Sequence, residues 1–488
     1  MSMIIYFLLL PLIVTFIVLF LRPKAATYLA AFSFIIPFFY ILHRLLAGIS
    51  EEFHIMYFSA PVGEIYMFSD AVSNAFGLAI CAVSAMAAFF SLPYMQSRLE
   101  EMKLDMEKEY RKYAFLYCLF ATSMLWLVYS GNLVFVYTFL EIAIISAFLL
   151  IFLYGYDKRR WTSILFFIWM LIPGVLALFS FLLIGSTNGT LALSGLKEVS
   201  MFAWAILFIG MIVKIPAIGL HSWLPWTYEQ SPTPPLGLLI MSDGLAGYIL
   251  LRIYLVDPSF IEAYRIPILS YALFSAIYAG FSVFRQTNYK RLLGYSSISQ
   301  MNYMLVALCL GSYGLMGLVI QFLSHSFGKS ILLMTAGGVI ALYGMKDLKD
   351  MGGLHDHMPE ISNAAVIGWM NLGGILTIGM LGEFFILRGV VDTFLRPDSP
   401  SFLGWTGSLP IILAVIFMFL LSVWYGFYML RRIFYGRPRS LKSEKKHVSG
   451  YLYIPLFIIG LLSVIFLFPP VAPALAKGVG IIIGGVIP

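Results

Sequence analysis

Four charged residues sit in the middle of long apolar runs: Glu141, Lys214, Lys329 and Glu383. A charge near the centre of a bilayer costs about 2.5–3.5 kcal/mol on insertion scales, so side chains kept there are candidates for moving ions or protons. Two acids and two bases could instead neutralise one another and fix helix packing. The local backbone favours transport. Lys214 is followed by Pro216, His221 and Pro225, and proline removes a helix hydrogen bond and breaks a span. Glu383 follows Gly373, Gly374, Gly379 and Gly382, a second weakened helix. Interrupted helices at membrane depth are tolerated where they are buried in protein or line a polar cavity. His325 and Lys329 are four residues apart and share a helix face. Histidine, with an ordinary pKa of about 6.5, suits proton handling beside such a lysine. Desolvation favours a neutral lysine and a nearby carboxylate favours the charged one. Moving that carboxylate would switch the lysine between releasing and holding a proton.

The elements that must position these groups follow from composition. Of 488 residues, 61% are hydrophobic and only 11% charged, with a mean hydropathy of +0.91. A soluble protein carries about 25% charged residues, which excludes a soluble enzyme and a disordered chain. Long continuous runs, rather than short alternating strands, exclude a membrane barrel. The expected class is an all-α polytopic membrane protein. The net charge of +7 does not imply nucleic acid, because the basic residues sit in short loops between apolar runs. Cys81, Cys118 and Cys309 lie inside apolar runs without a CxxC pair, so no metal or iron–sulfur site is expected.

A span needs about 20 apolar residues. That ruler predicts about 14 spans: 3–21, 25–46, 72–92, 113–129, 133–154, 161–185, 202–220, 235–255, 266–284, 292–310, 315–343, 364–391, 409–434 and 451–468. The stretch Val471–Pro488 is short and Gly-rich and stays unassigned. If the loop after the first span faces the cytoplasm, alternate loops hold 22 of the 31 Lys and Arg. The positive-inside rule then places both termini on the non-cytoplasmic side of a cell membrane. Within the polar loop Gln96–Lys112, Leu99, Met102, Met106 and Tyr110 repeat at helical spacing, which predicts a short helical extension. The breaks at Lys214 and Glu383 lie five spans apart, an odd offset that reverses orientation. Two inverted five-helix repeats with two broken helices are therefore expected. The predicted units are 1–112 (three spans and a loop), 113–255 (first repeat), 256–434 (second repeat) and 435–488 (last span and tail).

Two patterns mislead. Gly328-Lys329-Ser330 mimics the end of a phosphate-binding loop, but Leu323 occupies the required upstream glycine position. Only His221 and His325 lie in or beside spans, too few for a two-haem bundle.

Three stretches resemble a known family. They are Lys214-Ile-Pro216 with His221-Ser-Trp-Leu-Pro225 and Ser231-Pro-Thr-Pro-Pro235; Lys290-Arg-Leu-Leu-Gly-Tyr-Ser-Ser-Ile-Ser299 with His325-Ser-Phe-Gly-Lys329; and Met351-Gly-Gly-Leu354 with Met358-Pro359 and Gly382-Glu-Phe384. The chain is similar to the antiporter-like subunits of respiratory complex I, of Mrp-type multisubunit sodium/proton antiporters, and of energy-converting membrane-bound hydrogenase or sulfur-reductase complexes. It looks like the shorter members, without a long lateral helix. The resemblance implies a proton-translocating module with no cofactor in this chain, redox chemistry elsewhere, and other membrane subunits as partners. It implies that Glu141 pairs with Lys214 in an entry half-channel, that Lys329 and His325 continue a polar axis, and that Glu383 ends it. His221 and Asp243 complete the candidate set. The chain also departs from the family. Gly244, beside Asp243 and four residues before Tyr248, replaces a usual lysine. Trp226-Thr-Tyr228 stands where Asp-Ala-His is frequent, and Gln300 where histidine is frequent.

Three functions compete on these residues. The first is an ion-translocating subunit, moving protons or sodium. The second is a structural subunit that has lost conduction, which Gly244 favours. The third is a stand-alone solute carrier. The chain carries no nucleotide, metal or nucleophile constellation that would make it an enzyme by itself.

Overall fold

The computed structural model of the protein describes residues 3–437 and 447–484. Apolar runs become helices because a membrane leaves backbone groups no other partner. The first helices are α1 (Ile4–Ile17), α2 (Pro23–Ala47), α3 (Ala71–Glu101), α4 (Met106–Tyr129), α5 (Leu133–Tyr154) and α6 (Arg159–Asn188). Then come α7 (Met201–Lys214), α8 (Trp223–Gln230), α9 (Thr233–Val256), the short α10 (Ser259–Ala263), α11 (Arg265–Val283) and α12 (Tyr289–Leu308). The chain closes with α13 (Gly311–Tyr343), α14 (Pro359–Leu372), α15 (Ile378–Phe394), α16 (Gly404–Leu430), α17 (Gly450–Ile465) and α18 (Val471–Ile482).

Among the described residues, nine helices are long and apolar enough to cross a membrane: α2 to α6, α9, α11, α13 and α16 with the turn that follows it. The other predicted spans fall short for separate reasons. Helix α1 and α17 have 14 and 16 residues. Helix α12 has 20 residues but buries Ser296, Ser297, Ser299, Gln300 and Asn302. The seventh run holds only the 14-residue α7, with α8 following beyond the break, and the twelfth is split into α14 and α15.

The all-α expectation needs correction. Residues 51–69 form an antiparallel hairpin of β1 (Glu51–Tyr57) and β2 (Glu64–Ser69), with Glu51 opposite Ser69. Alternate exposure along β1 is the period-two pattern of a half-buried strand. The predicted helical extension across 96–112 is also interrupted. Helix α3 stops at Glu101, Lys103 turns with φ 55°, and Asp105 caps α4 by accepting from the Lys108 N–H. Residues 471–482, where the sequence predicts no span, form α18. Of the seven basic residues between Arg431 and Lys446, Arg439, Lys442, Lys445 and Lys446 lie outside the described residues.

The centre is occupied by α9 and α3, whose most apolar stretches are 100% and 94% buried; those of α6 and α16, at 39% and 33%, face outward. Helix α4 packs on α5 and α9, α5 on α6, α6 on α7 and α8, and α7 on α9. The later helices pair in the same order: α11 on α12 and α16, α12 on α13, α13 on α14 and α15, and α14 on α16. Helix α12 meets α8, and α13 meets α9, joining the two sets.

Candidate functional site

Helix α7 ends at Lys214 because Pro216 has no N–H to continue the ladder. The connecting turn passes through Gly219 at φ +88°, a conformation that suits glycine. Trp223, which opens α8, donates its indole N–H to the Val213 carbonyl and ties the two halves together. Lys214 is thus held at a helix end, 1% exposed. Its Nζ donates to Ser242 Oγ at 3.3 Å and lies 3.9 Å from Asp243 Oδ1, both on α9. The Asp243 Oδ1 accepts no hydrogen bond. The pair is buried but loose: Nζ and Oδ1 stand beyond hydrogen-bond distance.

Glu141 does not reach Lys214. Its carboxylate leans on Gly174 of α6, where an added Cβ would collide with Oε1. Among the described residues it makes no ion pair within 4.0 Å, and Oε1 has no hydrogen-bond partner. It remains within electrostatic reach of Lys214. His221 lies in the break between α7 and α8 and makes no contact with Lys214 among those found. Its ring meets Tyr278 and Tyr295 edge-on at 6.1 and 6.0 Å, and Nδ1 is buried without a partner.

In the second set, His325 and Lys329 stand one turn apart on α13, as their spacing requires. Lys329 Nζ donates to the Leu293 carbonyl at 3.1 Å and to Ser296 Oγ, and sits 5.7 Å from the centre of the Trp369 ring. Among the described residues, no carboxylate lies within 4.0 Å of it. His325 Nε2 is buried without a partner. Glu383 sits on α15 beneath the second break, where Gly374 has φ +63° and an added Cβ would come 2.7 Å from the carboxyl carbon. Two amides lie between: Gln321 donates to Gln300 Oε1 at 2.7 Å, and Gln300 donates to the Leu372 carbonyl at 3.0 Å.

Several residues outside the candidate set complete the geometry. Tyr228 on α8 donates its hydroxyl to Ser297 Oγ at 3.0 Å, next along α12 from the serine that meets Lys329. Gly244 is filled from outside. A Cβ there would lie 2.7 Å from the Phe322 ring, which stacks on Phe76 at 4.0 Å between centroids. An aromatic ring therefore takes the volume that a lysine stem at 244 would need. At the end of α9, Arg252 makes two 2.7 Å bonds to Asp70, which also caps α3. Arg252 stands one turn after Tyr248, on the same face of α9. Among the described residues, no group of three or more His, Cys, Asp or Glu could hold a metal ion.

Residues 130–395 match the family described as NADH:quinone oxidoreductase/Mrp antiporter, TM. NADH-quinone oxidoreductase subunit M of Rickettsia bellii is 29% identical over 310 residues, covering 59% of this chain and 60% of that relative; this match spans about three fifths of the relative's length. The subunit M of Rickettsia prowazekii is 26% identical, covering 75% and 76%. F(420)H(2) dehydrogenase subunit M of Methanosarcina mazei is 27% identical, covering 68% of each. The fold is shared with a chain of respiratory complex I from Thermus thermophilus, with a TM-score of 0.83 at 20% identity, covering 98% and 97%. It is also shared with a chain of the Mrp complex from Dietzia sp. DQ12-45-1b, at 0.81 and 14% identity, covering 98% and 97%. A chain of the membrane-bound sulfane sulfur reductase, an archaeal respiratory complex, scores 0.81 at 20% identity, covering 96% of this chain and 77% of that one.

Proposed function

The chain belongs to the NADH:quinone oxidoreductase/Mrp antiporter transmembrane family, and on that premise we propose that it is an ion-translocating, antiporter-like subunit of a multisubunit membrane complex. The observation that carries this reading is Lys214, fully buried at a broken helix with Asp243 3.9 Å away and no tighter ion pair. A lysine locked for structure would be held by a closer carboxylate; this one is placed to gain and lose a proton. Protons, with sodium as the other possible cargo, would pass between Glu141, Lys214 and Asp243, then Lys329 and His325, then Glu383. Tyr228, Ser296 and Ser297 supply hydroxyls between the first group and the second.

The architecture of this proposal is fourteen crossings. The nine long helices are joined by α1, α12, α17 and the split pairs α7 with α8 and α14 with α15. The recurring packing order supports two inverted units, 113–255 and 256–434, and the basic loops support both termini outside the cytoplasm. Partners are other membrane subunits, and any redox cofactors belong to them. The exposure of Gly219, Ser222 and Leu376 at the two breaks supports this, since open backbone at membrane depth has to be covered by protein or water.

The structural reading keeps one specific support: Phe322 fills the space beside Gly244, where a relay lysine would go. Substituting Lys214→Ala in the intact complex separates the two. Ion uptake by inverted vesicles is expected to fall to background while the complex still assembles. Unchanged uptake with normal assembly would assign this chain a structural role.

A further inference from the structure

None of the candidate site residues lies on helix α18. It has 12 residues, too few to cross a membrane. Val471, Leu475 and Val479, spaced by four, form its buried stripe against α2 and α3. This leaves Lys477 and Ile481 exposed. Between α18 and the end of α2 lies a cavity of about 360 Å³, with Arg44, Leu46, Ile49, Asn74, Lys477 and Ile481 in its lining. Helix α2 is one of the membrane-crossing helices and ends at Ala47, where Gly48 turns the chain at φ +63°. The cavity therefore opens at the depth of lipid headgroups.

Its chemistry is that of a phosphate with an acyl tail. Arg44 pairs with Glu51, so those two charges offset each other, but its buried Nε has no partner. Lys477 forms no ion pair among the described residues, so its positive charge in the lining has no paired carboxylate there. Leu46 and Ile481, 40% and 68% exposed, give the cavity an apolar border. We propose that this cavity holds the headgroup of an anionic phospholipid, with Lys477 toward the phosphate and Leu46 and Ile481 along the acyl chains. A lysine without a paired carboxylate at headgroup depth attracts an anionic phosphate, and free phosphate would gain nothing from the apolar border.

The test uses the purified intact complex with a phosphatidylglycerol probe carrying a photoreactive group at the start of its acyl chain. Labelled peptides are mapped by mass spectrometry. Labelling is expected on residues 45–49 and 474–482, to fall at least about fivefold in Lys477→Glu, and to persist in Lys477→Arg. Equal labelling by the phosphatidylcholine version, or unchanged labelling in Lys477→Glu, would overturn the proposal. Loss of labelling on adding inorganic phosphate at tens of millimolar would also overturn it, by showing a small-anion site.

Discussion

Lys214 has two carboxylates in its neighbourhood, and distance ranks them. Asp243 stands at 3.9 Å with an unpartnered oxygen; Glu141 makes no ion pair within 4.0 Å. Asp243→Asn keeps the shape and removes the charge that favours protonated Lys214. Ion uptake by the complex is expected to fall by about tenfold or more, equivalent to ~1.4 kcal/mol in the barrier. Uptake at the parent rate would take Asp243 out of the path. Glu141→Gln, measured beside it, is expected to have the smaller effect. The i,i+4 spacing of His325 and Lys329 was legible in the sequence, because a helix converts that spacing into one face. The choice of Asp243 over Glu141 was not. It depends on how α9 is rotated against α7, and the sequence marked Asp243 only as the neighbour of an unexpected Gly244.

At the scale of elements, the two breaks are the informative features. Pro216 and the Gly373-Gly374 pair announced them, since one cannot donate and the others tolerate left-handed backbone. What sits under the second break could be seen only after folding. Gly374 is at φ +63° directly above the Glu383 carboxyl. Gly374→Ala therefore meets both backbone strain and a collision. It is expected to lower stability by about 1–2 kcal/mol and to impair ion uptake by displacing Glu383. A thermal melt of the complex with a parallel uptake assay checks both; a variant that melts and pumps like the parent would refute the close approach. The hairpin of β1 and β2 was missed for a different reason. Glu51, Glu52 and His54 make its first strand look like a polar loop, and its register is set by pairing with residues 64–69.

Over the whole molecule, one buried ion pair links distant parts of the chain. Arg252, at the end of the central α9, holds Asp70 with two 2.7 Å bonds, and its guanidinium lies 4.8 Å from the centre of the Phe68 ring. Removing one partner strands the other charge in a dry place, which costs about 3–5 kcal/mol. Arg252→Met is expected to destabilise the protein by that order in a denaturation series. Adding Asp70→Asn should recover part of the loss, because the orphaned charge is removed as well. If the double variant is as unstable as the sum of the two single ones, the pair is not coupled as described.

Composition and periodicity alone determined that this is a helical membrane protein, and they located its breaks and the charged residues inside its apolar runs. Those properties are local: bilayer thickness sets run length, proline and glycine interrupt helices, and the cost of a buried charge marks where it matters. The motifs alone indicated the family. Only the tertiary structure decided which acid meets Lys214, that Phe322 fills the place beside Gly244, that Arg252 anchors Asp70, and that α18 and α2 enclose a basic cavity. Each of these joins residues on different helices, and a contact between helices depends on their rotation and depth relative to one another, which no single stretch of sequence encodes.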